Sequence, residues 1–64
     1  MNRLKEAREL KKLTQEELSV LSGVSRVTIS RIESGNQDDI KLKTMKAISH
    51  VLRIPMEQIF GQKC

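Results

Sequence analysis

Sixty-four residues carry twelve Lys and Arg against eight Asp and Glu, a net charge of +4, with Phe60 as the only Phe, Trp or Tyr. A chain of this length buries only about 60% of the surface its unfolded form exposes, so one modestly stable domain over residues 1–64 is expected, with no room for a separate effector or catalytic unit. The scarcity of aromatics argues against a base-stacking single-strand binder, and the lack of an 18-residue apolar run argues against a membrane span.

Asn2 is placed to cap a first helix running to about Lys11 or Lys12. Leu4, Ala7 and Leu10 recur every third residue as its inward stripe, and Lys5, Glu6, Glu9 and Lys11 fall outside it. Arg8 lies beside the stripe. Thr14 and Glu17 then form an S/T-x-x-E capping box, with Leu13 and Leu18 spaced for the accompanying hydrophobic staple. Leu18 and Leu21 give the second helix its inward face, and Val20 projects outward. Gly23 ends that helix, because a sharp turn needs a residue that tolerates the left-handed conformation.

Ser25 caps a third helix whose apolar stripe is Val24, Ile29 and Ile32. Ser34, Gly35 and Asn36 end it, and the loop at residues 37–41 carries Asp38 and Asp39. Leu42, Met45, Ile48 and Val51 or Leu52, widened by Ala47, mark a fourth helix. Pro55 belongs in the first turn of a short fifth helix, where its missing N–H has no partner to lose. Met56, Ile59 and Phe60 supply that helix's apolar face, and residues 61–64 read as a tail ending in Cys64. Met45 and Met56 sit at core spacing rather than in a metal box. His50 lacks any ligand partner at metal spacing and is assigned to the surface.

Off the third helix's stripe fall Arg26, Val27, Thr28, Ser30 and Arg31. Arginine can pair bidentately with guanine O6 and N7, and an apolar group can meet a thymine methyl. For an arbitrary helix such a face is simply solvated; the capped turn in front of this one shifts the balance.

Residues 14–33 as a whole resemble the helix-turn-helix of phage repressor and Cro-type regulators, the XRE family. The matching positions are Gln15, Leu18, the small Ser19, Gly23, Val24, Ile29 and Ile32; Ser22 departs, since an apolar residue is usual there. The resemblance extends over nearly the whole chain, with residues 54–60 matching the family's usual ending. It implies an all-α, compact five-helix bundle of the lambda repressor-like kind, with the helix-turn-helix at about 14–34. It also implies that helix three lies in the major groove and helix two crosses the backbone.

Arg26, Val27, Thr28 and Arg31 are then the residues assigned to base edges, and Gln15, Ser25, Ser30 and Asn36 to phosphates. Arg8 and Glu33 would make the family's partly buried ion pair. Arg53 stands where the family tends to have glycine, and a left-handed arginine there would cost on the order of 1 kcal/mol. The family's loop after helix three is often basic, so Asp38 and Asp39 count against a backbone contact there and leave Asn36 and Gln37 as donors.

The leading expectation is a sequence-specific double-stranded DNA-binding transcriptional regulator, a repressor, bound to a palindromic operator as a homodimer. Its dimer surface would lie near helix five, at Ile54, Met56 and Phe60. The net charge agrees with an anionic partner but serves solubility equally well. The alternative is an antitoxin-type module inhibiting a cytoplasmic partner protein, against which the four residues after Phe60 offer little extra surface. An enzyme is rejected, because one histidine and one terminal cysteine leave no convergent acid, base or nucleophile. No cofactor, metal, membrane or small-molecule ligand is expected. A single cysteine suits a reducing cytoplasm, and an N-terminus charged from Arg3 onward lacks the apolar core of a signal peptide; the resemblance implies that the cytoplasm is a bacterial or phage one, at the nucleoid when bound.

Overall fold

A computed structural model describes residues 2–36 and 40–61. The expectations for Met1, for Gln37, Asp38 and Asp39, and for the tail at residues 62–64 with Cys64 lie outside the described residues. Five helices follow in order: α1 (Leu4–Leu10), α2 (Gln15–Ser22), α3 (Arg26–Glu33), α4 (Leu42–Leu52) and α5 (Met56–Phe60). No strand occurs among the described residues.

One core serves all five helices. Leu4, Leu18, Ile29, Ile32, Ile48, Leu52 and Ile59 are fully buried, with Ala7 and Phe60 nearly so. Leu13, Val24, Met45, Val51, Ile54 and Met56 pack against this cluster from its edge. Burying a side chain of this size is worth about 1.5–3 kcal/mol, so the position of α3, which supplies two of them, is set from beneath. Helices α2 and α3 pack on one another, α4 supports α2, and α1 bridges α3 and α5.

Asn2 opens α1 and also ties it to the end of α3. Its Oδ1 accepts the Leu4 N–H at 2.9 Å, and its Nδ2 donates to the Ile32 carbonyl at 2.6 Å. The helix stops at Leu10, a little earlier than expected. Lys12 takes the left-handed conformation (φ +60°), letting its N–H reach the Glu9 carbonyl and the Leu13 N–H reach that of Arg8. This is the Schellman arrangement, made without glycine. Leu10, assigned inward, is 72% exposed. Successive residues advance about 100° around a helix, so two steps of three carry Leu10 about 120° from Leu4, whereas Arg8 lies only about 40° away. Arg8 takes the inward place.

Two other apolar assignments fail for related reasons. Leu21 is 60% exposed, because the covered side of α2 runs through Gln15, Leu18, Ser19 and Ser22 and leaves Leu21 on its margin. Leu42 is 55% exposed at the first position of α4, beyond the reach of the core. Arg53 closes α4 in the left-handed region (φ +58°), with the Ser49 hydroxyl donating to the Ile54 carbonyl at 2.6 Å just beyond it. Pro55 sits one place earlier than expected, as the N-cap of α5; its carbonyl accepts the Gln58 and Ile59 N–H groups. Phe60, expected at a dimer surface, lies within the core, and Met56 packs against it.

Candidate nucleic-acid interface

The α2–turn–α3 unit is fixed by local hydrogen bonds before any tertiary contact is counted. The Thr14 hydroxyl accepts the Glu17 N–H at 3.0 Å, and the Glu17 carboxylate accepts the Thr14 N–H at 2.8 Å. Gly23 ends α2 at φ +77°, its N–H donating to the Ser19 carbonyl at 2.9 Å. A Cβ at Gly23 would meet nothing within 4 Å, so glycine is required there by its backbone angle and not by space. Ser22, the polar departure, has a use in the turn: its hydroxyl accepts the Val24 N–H at 3.2 Å.

Ser25 caps α3 by accepting the Thr28 N–H at 3.1 Å, and its hydroxyl donates to Thr28 Oγ1 at 3.0 Å. Its proton is thereby committed to Thr28, and the Thr28 hydroxyl keeps a proton of its own to donate. At the far end, Gly35 (φ +95°) completes a second Schellman arrangement. Its N–H donates to the Ile32 carbonyl, and the Asn36 N–H to that of Arg31.

Ile29 and Ile32 point α3 into the core, which determines what faces away. Arg26, Val27, Ser30 and Arg31 are exposed, Val27 at 64%, and Thr28 is half-buried. At 100° per residue, Val27, Ser30 and Arg31 fall within about 100° of one another, with Arg26 and Thr28 on their two flanks. The Schellman end brings Asn36 alongside, so that Thr28, Arg31 and Asn36 share the wall of a depression of ≈ 140 Å³. A second depression of ≈ 290 Å³ lies between the turn and α4, where Ser25 and Thr28 face Lys43 and Thr44. Sequence reasoning missed Lys43 and Thr44. Their signal was a helix start holding a lysine and a hydroxyl with no acidic residue in the first turn.

Behind this face lies an ionic network. Arg8 Nε donates to Glu33 Oε2 at 2.6 Å, Nη2 to Oε1 at 3.2 Å, and Nη1 to the Leu13 carbonyl at 2.7 Å. The two side chains are only 11% and 6% exposed. The hydrogen bond that Arg8 donates to Glu33 raises the Arg8 pKa above its ordinary value, against burial, which lowers it. Gln15 Nε2 joins by donating to Glu33 Oε1 at 3.0 Å. That leaves a second N–H on the same nitrogen at the start of α2. Glu33 thus links α1, α2 and α3 through one carboxylate, placing Gln15 relative to the exposed side of α3. Arg26 and Ser30 make no side-chain hydrogen bond among the described residues; they belong to the site by exposure alone.

The sequence profile of the helix-turn-helix family matches residues 4–59. The chain is 42% identical over 58 residues to the uncharacterized HTH-type transcriptional regulator RghRB of Bacillus subtilis, covering 91% of this chain and 42% of that one. It is 44% identical over 54 residues to the HTH-type transcriptional repressor RghR of the same organism, covering 84% and 40%. It is also 44% identical over 59 residues to the uncharacterized HTH-type transcriptional regulator MJ0272 of Methanocaldococcus jannaschii, covering 92% and 88%. The chain thus spans about two fifths of the length of the two Bacillus relatives.

Proposed function

The chain belongs to the helix-turn-helix family of transcriptional regulators, of the XRE type, and from that premise we propose that it represses transcription by binding an inverted repeat in double-stranded DNA as a two-fold dimer. Residues 1–64 act as one DNA-binding domain, with α3 in the major groove and α2 across the backbone. The observation that carries this reading is the division of α3 into a fully buried side, Ile29 and Ile32, and an exposed side presenting Arg26, Val27, Ser30 and Arg31.

Arg26 and Arg31 supply bidentate donors for guanine, and Val27 an apolar contact for a thymine methyl. Thr28 offers its remaining hydroxyl proton from the flank to a base edge. Gln15, Ser30 and Asn36 donate to phosphates and set the register, with Lys43 and Thr44 extending that contact to the start of α4. Ser25 contributes through the cap it makes, placing the first turn of α3 against the backbone. Repression is the sense of regulation that the RghR name carries for that relative, and binding over a promoter would achieve it with no further activity. The family consists of DNA-binding regulators and not enzymes. No helix among the described residues is long and apolar enough to cross a membrane, and the proposed site of action is the cytoplasm, where the DNA lies.

Selection of bound sequences from random duplex DNA tests the reading. The expected result is an inverted repeat whose half-site centres lie about 34 Å apart, one helical turn. Enrichment of no sequence over the starting pool would refute it.

A further inference from the structure

One partly exposed apolar patch lies at the edge of the core, away from the outer side of α3. Leu21 stands between two shallow depressions of ≈ 700 and ≈ 580 Å³ and lines both. Val51, Ile54 and Pro55 continue the apolar surface on one side; Leu13 and Val20, the latter 76% exposed, continue it on the other. Exposed apolar side chains scattered singly need no explanation; here several adjoin around Leu21, where one partner can cover them together.

The charges around it indicate the occupant. His50 and Arg53 flank the patch on the Ile54 side, and Glu16 and Glu17 on the Val20 side. Glu17 is engaged in the cap of α2, whereas the Glu16 carboxylate makes no hydrogen bond among the described residues. A two-fold axis passing by Leu21 would lay the basic flank of one copy on the acidic flank of the other, twice over. A surface that carries both signs on opposite sides of an apolar centre complements itself, which is what an isologous interface requires.

We infer that a second copy of this chain docks on this patch, Leu21 against Leu21, with Glu16 of each copy facing Arg53 of the other. The inference rests on the two-fold reading above and relocates the interface from α5, where Phe60 is buried, to the ends of α2 and α4. The patch shares no residue with α3 or with either depression beside it.

Sedimentation equilibrium over a concentration series, with circular dichroism to confirm folding, tests the interface. The wild-type chain is expected to be a dimer, and Leu21→Glu to raise its dissociation constant about 30-fold or more, the scale of a central interface residue. Glu16→Lys and Arg53→Glu should each weaken the dimer about fivefold, as charges at an interface rim do. The double variant should return to within about twofold of wild type, because the exchange restores opposite signs across the axis. A monomeric wild type, a Leu21→Glu dimer of undiminished strength, or a double variant no better than the singles would each overturn the inference. A duplex carrying one half-site separates the two readings. Leu21→Glu should bind it as wild type does; a dimer that binds no duplex would leave the interface standing and refute the DNA reading instead.

Discussion

The two sides of α3 use similar residues to opposite ends. On the inner side, Glu33 meets Arg8 and Gln15 with side chains nearly withdrawn from water, beside the fully buried Ile29 and Ile32. On the outer side, Arg26 and Arg31 stand in solvent next to Val27. An ion pair out of water is committed, because removing either partner strands a charge that cannot be resolvated. An exposed arginine keeps its donors available to whatever arrives. On this helix, charge inside fixes position, and charge outside is left free for a partner.

The largest expected effect comes from breaking the inner side. Arg8→Ala should cost about 3–5 kcal/mol by stranding Glu33, against a total stability on the order of 3–10 kcal/mol for a chain of this size. Thermal denaturation should show its melting temperature lowered by about 12–40 °C, while Arg31→Ala should stay within about 0.5 kcal/mol of wild type. Equal losses would erase the distinction between the two arginines. Breaking the outer side should instead appear in binding. Arg26→Ala should cost about 1–3 kcal/mol and relax preference at one base pair, whereas Gln15→Ala should weaken binding to all sequences similarly. A uniform loss on every sequence for both variants in a duplex titration would contradict this sorting.

Smaller effects test how the frame holds the comparison in place. Thr14→Ala removes the α2 cap and should lower stability by about 1 kcal/mol without altering which sequence is preferred. A changed preference would mean that the cap belongs to the reading face. The smallest effect should be a gain. Lys12→Gly relieves a left-handed side chain costing about 1–2 kcal/mol, but it also frees the unfolded chain by about 0.4–1 kcal/mol. A net stabilisation below about 1.5 kcal/mol is expected from chemical denaturation; a loss would show that the lysine side chain contributes something the backbone angle does not reveal.

What the sequence disclosed follows from how local each feature is. Thr14 with Glu17, Gly23 and Ser25 act over three or four residues, so their chemistry is visible in the spelling of the chain. The phase of Leu10 and Leu21 is not, because a three-residue spacing drifts around the helix and only packing decides which side is covered; nor is the reach of the core, which stops short of Leu42. Lys12 gave no sign of its left-handed backbone, since the residue that usually advertises it is glycine. The pairing of Arg8 with Glu33, twenty-five residues apart, has no signature in periodicity; family resemblance pointed to it. Resemblance did not point to the Gln15 bond to the same carboxylate, nor to Asn2 joining α1 to the end of α3. Thr28 and Asn36 were legible as polar residues, but the depression they share with Arg31 depends on the Schellman turn at Gly35.

On the proposed function, the outer side of α3 reads bases while the network behind it only holds the helix. Parallel selection from random duplex DNA with the wild-type chain and Arg26→Ala tests this most directly. An inverted repeat is expected for the wild type, and for the variant the same repeat and spacing with preference lost at one position in each half-site. An unchanged preference in the variant, or no enrichment for either protein, would contradict it.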